Sequence, residues 1–379
     1  MSDILIIGAG PVGATFALLA QGRGLDVSLV DARQGPSTET RSLALSHGSR
    51  LLLERAGAWP EDMRTTPIHA IHTSQKGGFG KVMLTREDAD VPALGYVVGY
   101  STLQDALDSA LEQAAISVTF GARVTAIDAD RGELAYSAND QQHKAKAPLL
   151  VMADGGANLD KLPAVEVSLK DYGQSAMLAH VVADRAHGNV AYERFTADGP
   201  AALLPSPSGR EHYSMVWVAP HAQIEALMAL SDDAARDRFQ THFGKRAGNF
   251  ISLTKRRRYP LTLRQTSTRV LGTMAIIGNA AQAMHPVAGQ GFNLGLRDAA
   301  TLAATIAQTP DPTQALLRYA AVREVDIERG VGFTDLLAST FISDAPTLRL
   351  PRGMALAAVD LLPFARRALS RRMLFGARS

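Results

Sequence analysis

Cysteine is missing from all 379 residues. Its absence excludes disulfides, thiolate nucleophiles and any zinc or iron–sulfur centre held by thiolates. Long apolar runs are missing too, since none approaches the ~18 residues of a membrane-spanning helix. Nor does charge of one sign dominate: 39 Lys and Arg stand against 37 Asp and Glu, a net +2. No His-Glu-x-x-His or similar ligand spacing occurs and the histidines are scattered, which predicts a metal-free protein. After Met-Ser-Asp the chain enters an apolar strand with no basic segment or small-residue cleavage site. No signal peptide is therefore expected, and a cytoplasmic location is the expectation. What remains is a chain with 46% hydrophobic residues. That is the profile of a globular protein with a large core and two lobes.

The even charge balance hides an uneven distribution. Residues 345–379 hold Arg349, Arg352, Arg366, Arg367, Arg371, Arg372 and Arg378 against Asp360 alone. This segment alternates apolar clusters with arginine pairs around Pro363. It reads either as a basic amphipathic segment for an anionic lipid surface or as a helix packed on the protein with a solvated arginine face. A second basic knot, "KRRR" at 255–258, lies within strand-like sequence. Nucleic acid is not expected, because aromatic stacking platforms do not accompany the arginines.

Residues 3–31, "DILIIGAGPVGATFALLAQGRGLDVSLVD", read as strand, glycine turn, helix and strand. Gly8 suits the tight turn, Gly10 lets backbone approach a pyrophosphate, and Gly13 allows helix–strand packing. Phosphates are favoured by the free N–H groups of the helix start. Asp31 ends the second strand, where a carboxylate can accept ribose hydroxyls. Beyond this unit the alternation of a nicotinamide dehydrogenase does not continue. Two further buried strands end in turns far along the chain, at Asp154-Gly155 and at Gly278-Asn279. Three such turns imply one long ligand gripped from several sides. Residues 278–300, "GNAAQAMHPVAGQGFNLGLRDAA", crowd glycine and amide residues in front of an apolar helix.

Taken in order, "GAGPVG", "RSLALS", "LGYVV", "ADGG", "DYGQSAMLAHV" and residues 278–300 make nearly the whole chain resemble a known family. It resembles FAD-dependent aromatic hydroxylases of the para-hydroxybenzoate hydroxylase type, and within them the ubiquinone-biosynthesis branch. The resemblance implies an α/β fold: a Rossmann-like FAD-binding domain, an antiparallel β-sheet substrate domain and a C-terminal helical segment. The expected division is 1–165 with 266–344 for FAD, 166–265 for substrate, and 345–379 for the basic tail.

The resemblance also implies site residues. Gly289, Gln290, Gly291, Phe292 and Asn293 would offer amides to the anionic edge of reduced flavin, as a helix N-terminus can. Asn279 would bond the ribityl chain in place of the family's aspartate. Arg41 would approach the FAD phosphates, and Asp154 and Gly155 would support FAD and the nicotinamide-binding surface. Asn158 and Lys161 depart from the family pattern after that pair, and contact between Tyr100 and FAD stays open. Leu204, Pro205, Met215 and Trp217 are expected to wall the substrate chamber. Pro286 would place a backbone carbonyl near a phenolic proton. His285 is the candidate general base, with packing as its alternative. The implied chemistry reduces FAD with NAD(P)H and forms a C4a-hydroperoxide with O2 that hydroxylates a polyprenylated phenol. A membrane surface and other ubiquinone-pathway proteins are the implied partners. Two other functions remain open: a flavin-binding scaffold for quinone intermediates, and hydroxylation of a small soluble aromatic acid.

Overall fold

The computed structural model of the chain describes residues 2–78, 80–196, 199–283, 290–324 and 349–376. The first apolar run forms β1 (Ile4–Ile7), followed by α1 (Pro11–Gln21) and β2 (Val27–Asp31). Every residue of β1 is buried, as befits a strand covered on both faces. The chain then leaves this sheet through β3 (Ser42–Ser46), α2 (His47–Arg55), β4 (Thr65–Ile68), β5 (Ala70–Gln75) and β6 (Lys81–Thr85). It returns by way of α3 (Arg86–Ala89), β7 (Gly95–Gly99), α4 (Tyr100–Gln113) and β8 (Ser117–Phe120). An antiparallel trio, β9 (Arg123–Asp128), β10 (Glu133–Ala138) and β11 (Gln141–Lys146), leads into the buried β12 (Leu149–Met152).

The middle of the chain supplies β13 (Val167–Ala183), β14 (Val190–Phe195), β15 (Ala201–Pro205) and β16 (His212–Pro220). After α5 (His221–Ala229) and α6 (Asp232–Phe243) comes the long β17 (Phe250–Thr266). β18 (Val270–Leu271) and β19 (Met274–Ile276) rejoin the first sheet, and β20 (Gln282–Ala283) joins the second. Helices described later in the chain include α7 (Gln290–Gln308), α8 (Arg349–Leu361) and α9 (Pro363–Phe375).

Register explains how distant motifs meet. The first sheet runs β18-β19-β12-β1-β2-β8 and is parallel from β19 to β8. Ile7 lies between Val30 and Met152, and Met152 pairs with Ile276. The residues at or just past the ends of these strands therefore emerge along one edge: Gly8, Asp31, Asp154 and Gly278. Ligands of open α/β sheets bind outside that edge.

The second sheet runs β20-β17-β13-β16-β15-β14-β5-β6. It is the antiparallel layer expected over 166–265, but it also recruits β5 and β6 from the N-terminal part of the chain, with β5 parallel to β14. Along its strands the side chains alternate, as a period of two dictates. Met177, Ala179, Leu203, Tyr213, Met215 and Trp217 form one core with Ile224, Leu227, Phe239 and Phe243 of α5 and α6. Ala176 and Val218 belong to a separate cluster with Leu261 on the other face.

The basic tail packs. On α8, Leu356 joins a core with Val82 and Leu84 of β6, while the Asp360 carboxylate accepts the Met83 amide at 2.9 Å. On α9, Leu374 joins the same core, and Arg366 pairs with Asp88 at 2.9 Å.

Candidate functional site

The aligned strand ends border a groove of ≈ 560 Å³ lined by residues from across the sequence. Gly8, Gly10, Asp31, Arg41, Asp154, Gly155, Asn279 and Phe292 all reach it. Gly8 has φ +102, a backbone conformation that side chains resist. At Gly13 a Cβ would lie 2.0 Å from the Gly8 carbonyl oxygen, so only glycine lets α1 approach the strand so closely. A Cβ on Gly10 would meet nothing within 4 Å, which leaves bare backbone facing the groove. No side chain caps α1. Its first-turn amides and the helix dipole thus favour an anion.

The carboxylates of the site first shape the loops. Asp31 accepts the Ala9 amide at 2.5 Å and the Arg33 amide at 2.7 Å. Asp154 accepts the Gly156 amide at 2.8 Å and both the backbone and side-chain amides of Asn158, at 3.0 and 2.7 Å. Asn158, a departure from the family pattern, therefore locks the turn after Asp154. Lys161 turns instead to its neighbour Asp160 at 3.3 Å.

Arg41 lies over the Tyr100 ring, 4.9 Å from its centroid. Burial raises the Tyr100 pKa, against the pull of Arg41 and Arg33. Gln104 donates to the Ala9 carbonyl at 2.9 Å and to Asp108 at 2.8 Å. Asp108 in turn holds Arg33 through two bonds of 2.7 and 2.9 Å.

At the other end of the groove, helix α7 starts at Gln290 and carries Phe292 into the lining. A Cβ on Gly291 would have open space. The Asn293 side chain turns away from the groove and clamps the helix start to β3. It accepts the Ser46 amide at 2.9 Å and donates to the Ala44 carbonyl at 3.1 Å. His285, Pro286 and Gly289 lie outside the described residues, as do the surroundings of the Gln290 side chain.

Two supports escaped the sequence reading. Arg264 of β17 donates to the carbonyl of Gly155 and, at 2.7 Å, to that of Asn279, so one guanidinium ties together both late turns. Nothing distinguishes it in sequence from other arginines on strands. Asp298 accepts the Gly278 amide at 2.9 Å and pairs with Arg323 at 2.6 Å, with side-chain exposures of 0% and 2%. Asp298 lies inside the glycine-rich motif, 20 residues after the turn it serves, a contact that only a helix laid back across the strand end can make.

Beside the groove, a cleft opens between β3 and the second sheet. Arg41 lines both cavities, and Leu204, Leu178, Val216, Ser214, His180 and Tyr259 line the cleft. Ser42 and Ser214 share a hydroxyl–hydroxyl bond of 2.7 Å across it. Pro205, on the same strand as Leu204, is buried. Met215 passes the cleft, but its side chain, like that of Trp217, is 1% exposed and belongs to the core behind the sheet. Trp217 lies 4.2 Å from His242 and 5.5 Å from Phe239, ring centre to ring centre. The odd-numbered residues of β16 thus pack on α5 and α6, leaving Ser214 and Val216 for the cleft. Among the described residues no cluster of His, Asp or Glu could hold a metal ion.

The bare backbone, the open anion-binding helix start and a groove lined from Gly8 to Phe292 fit a dinucleotide. A protein-family model described as FAD binding domain matches residues 1–330. The chain is 30% identical over 376 residues to the ubiquinone hydroxylase UbiL of Rhodospirillum rubrum, covering 95% of this chain and 86% of that protein. It is 28% identical to the 3-demethoxyubiquinol 3-hydroxylase of Escherichia coli, covering 95% of each. Its fold superposes on the p-nitrophenol 4-monooxygenase of Pseudomonas putida with a TM-score of 0.80 at 17% identity, covering 100% of this chain and 99% of that one.

Proposed function

The chain belongs to the FAD binding domain family, and on that premise we propose that it is a flavoprotein monooxygenase that hydroxylates the aromatic ring of a polyprenyl phenol in ubiquinone biosynthesis. The convergence of the Gly8, Asp31, Asp154 and Gly278 strand ends on one groove carries this reading, because a long dinucleotide needs all of them at once. The similarity to ubiquinone hydroxylases supplies the substrate class. Bound FAD supplies the redox chemistry, accepting electrons from NAD(P)H and activating O2 for transfer of one oxygen atom to the ring.

The protein's own residues have four tasks in this reading. Gly10 and the start of α1 take the pyrophosphate, with Arg41 as a nearby cation. Asn279 and the Asp154–Gly155 turn hold the middle of the cofactor. The first turn of α7, from Gly291 to Asn293, sets its amides against the electron-rich edge of the flavin, where a helix dipole stabilises negative charge. Leu178, Leu204 and Val216 give the adjoining cleft an apolar wall that excludes water from the reacting ring. For His285 and Pro286 we retain the proton-handling role read from the sequence. The FAD part is assigned to 1–165 and 266–344, and the substrate part to 166–265.

A substrate with a polyprenyl tail resides in the bilayer, so the enzyme works at a membrane surface on the cytoplasmic side, near other proteins of the pathway. Among the described residues no helix is long and apolar enough to cross a membrane. A small aromatic acid would instead require a buried cation, whereas Lys255 and Arg257 at the cleft are exposed.

The deciding experiment is deletion of the gene in its host, with mass spectrometry of the quinone precursors. Accumulation of a precursor lacking one ring hydroxyl is expected; an unchanged quinone pool would sink the assignment. The purified protein should couple NAD(P)H oxidation to hydroxylation, which a non-enzymatic flavin scaffold would not do.

A further inference from the structure

We propose that the α8–α9 hairpin is the surface on which this protein docks to an anionic phospholipid bilayer. The proposal deepens the membrane reading above, and rests on it only for the location of the substrate.

Both helices use one face for packing and leave the other exposed to solvent. On α8, Gly353, Leu356 and Asp360 face β6. The opposite side carries Met354, Ala358 and Leu361 at i, i+4 and i+7, all exposed. Met354 is 60% and Leu361 77% exposed. The stripe runs into the corner between the helices, where Leu362 is exposed and Phe364 is 69% exposed. On α9 the packed side is Arg366, Ser370 and Leu374. The outward side continues from Phe364 to Arg367, Ala368 and Arg371, positions that share a helix face.

An apolar corner therefore adjoins a row of cations. That pairing matches the two layers of a membrane interface, acyl chains for the corner and anionic headgroups for the arginines. Arg366 lies on the packed side of α9, against Asp88. Positive charge outweighs negative on the described part of the hairpin, with Arg366, Arg367, Arg371 and Arg372 against Asp360 in a chain of net charge +2.

The hairpin is also joined to the flavin end of the groove. Ser46 donates its hydroxyl to the Leu374 carbonyl at 3.0 Å and its amide to Asn293 of α7 at 2.9 Å. Phe375 meets the His47 ring edge-on, with centroids 6.3 Å apart. The end of α9 opposite the corner thus touches the β3–α2 junction that anchors α7.

The test uses the full-length, FAD-loaded protein and co-sedimentation with vesicles, without substrate. Vesicles of phosphatidylcholine alone are compared with vesicles also containing phosphatidylglycerol, at low and high salt. Binding is expected only with phosphatidylglycerol and should weaken with salt. Leu361→Ser with Phe364→Ser, and separately Arg367→Glu with Arg371→Glu, should each lower partitioning about tenfold or more. Both variants should keep their flavin absorbance and their turnover of a short-chain, water-soluble quinol analogue. Wild-type protein that stays in the supernatant overturns the proposal, as do variants that sediment like wild type. So does a wild-type dimer that Phe364→Ser makes monomeric with no vesicle binding, which would assign the patch to a second copy of the chain. Because partitioning is read without turnover, failure here leaves the hydroxylase reading intact, and the reverse also holds.

Discussion

Arg264 is the residue through which the second sheet grips the cofactor groove. Arg264→Met keeps the bulk but removes both bonds to the Gly155 and Asn279 carbonyls. We expect weaker FAD retention with the fold intact, read as a raised FAD dissociation constant beside unchanged circular dichroism. Asp298 and Arg323 test a different quantity. Arg323→Met would leave the Asp298 carboxylate buried without its cation, a change that typically costs about 3–5 kcal/mol. The denaturant midpoint should drop accordingly, and FAD should be lost with it because Asp298 also holds the Gly278 amide. Gly291→Val should do the converse, giving a folded but colourless protein, since a side chain there enters the open space beside α7. A yellow, fully loaded Gly291→Val protein would refute the assignment of that helix start to the flavin. The glycines of these turns could be read from the sequence because each glycine answers a local demand of the backbone. Arg264 could not, because its value comes from carbonyls 109 and 15 residues away.

Among the elements, β16 marks where reading a strand without its neighbours runs out. Alternation shows that Met215 and Trp217 share a face, and hydrophobicity shows that the face is buried. Only the position of α5 and α6 decides which face of the sheet they cover. The aromatic residue expected at the substrate therefore lies in the core behind it. The tail presents a similar choice. A basic amphipathic segment can lie on lipid or on protein, and this hairpin has one face for packing and another exposed. Its seat can be tested at Gly48, where a Cβ would fall 2.5 Å from the Leu374 carbonyl and 3.1 Å from the Phe375 ring. Gly48→Val should displace α9 at a cost of about 1–3 kcal/mol. Limited proteolysis should then cut the tail faster while the flavin core persists.

For the whole molecule, stability should depend on pH through histidines kept neutral inside the fold. Burial lowers the pKa of His47, His72 and His187, with Arg50 adding to the effect at His47 and Arg246 at His72. The unfolded chain thus binds protons first as pH falls below the ordinary value of 6.5. Stability is fully present above that pH and is lost below it, by at most ~1.4 kcal/mol per pH unit for each such histidine. Urea midpoints measured at about pH 7.5 and about pH 5.5 should show the loss; equal midpoints would mean that these rings are solvated.

The sequence by itself determined the strand–turn–helix unit, the late glycine-rich helix start and the family, because each depends on short-range backbone geometry or on an ordered set of motifs. It also determined that the tail is basic and amphipathic. Tertiary structure decided the rest: which strand ends share an edge, which face of the second sheet looks at the groove, and which side of α8 and α9 stays open. Those outcomes follow from register and from packing between elements far apart in the chain, and a local pattern fixes the periodicity of a face without fixing its partner.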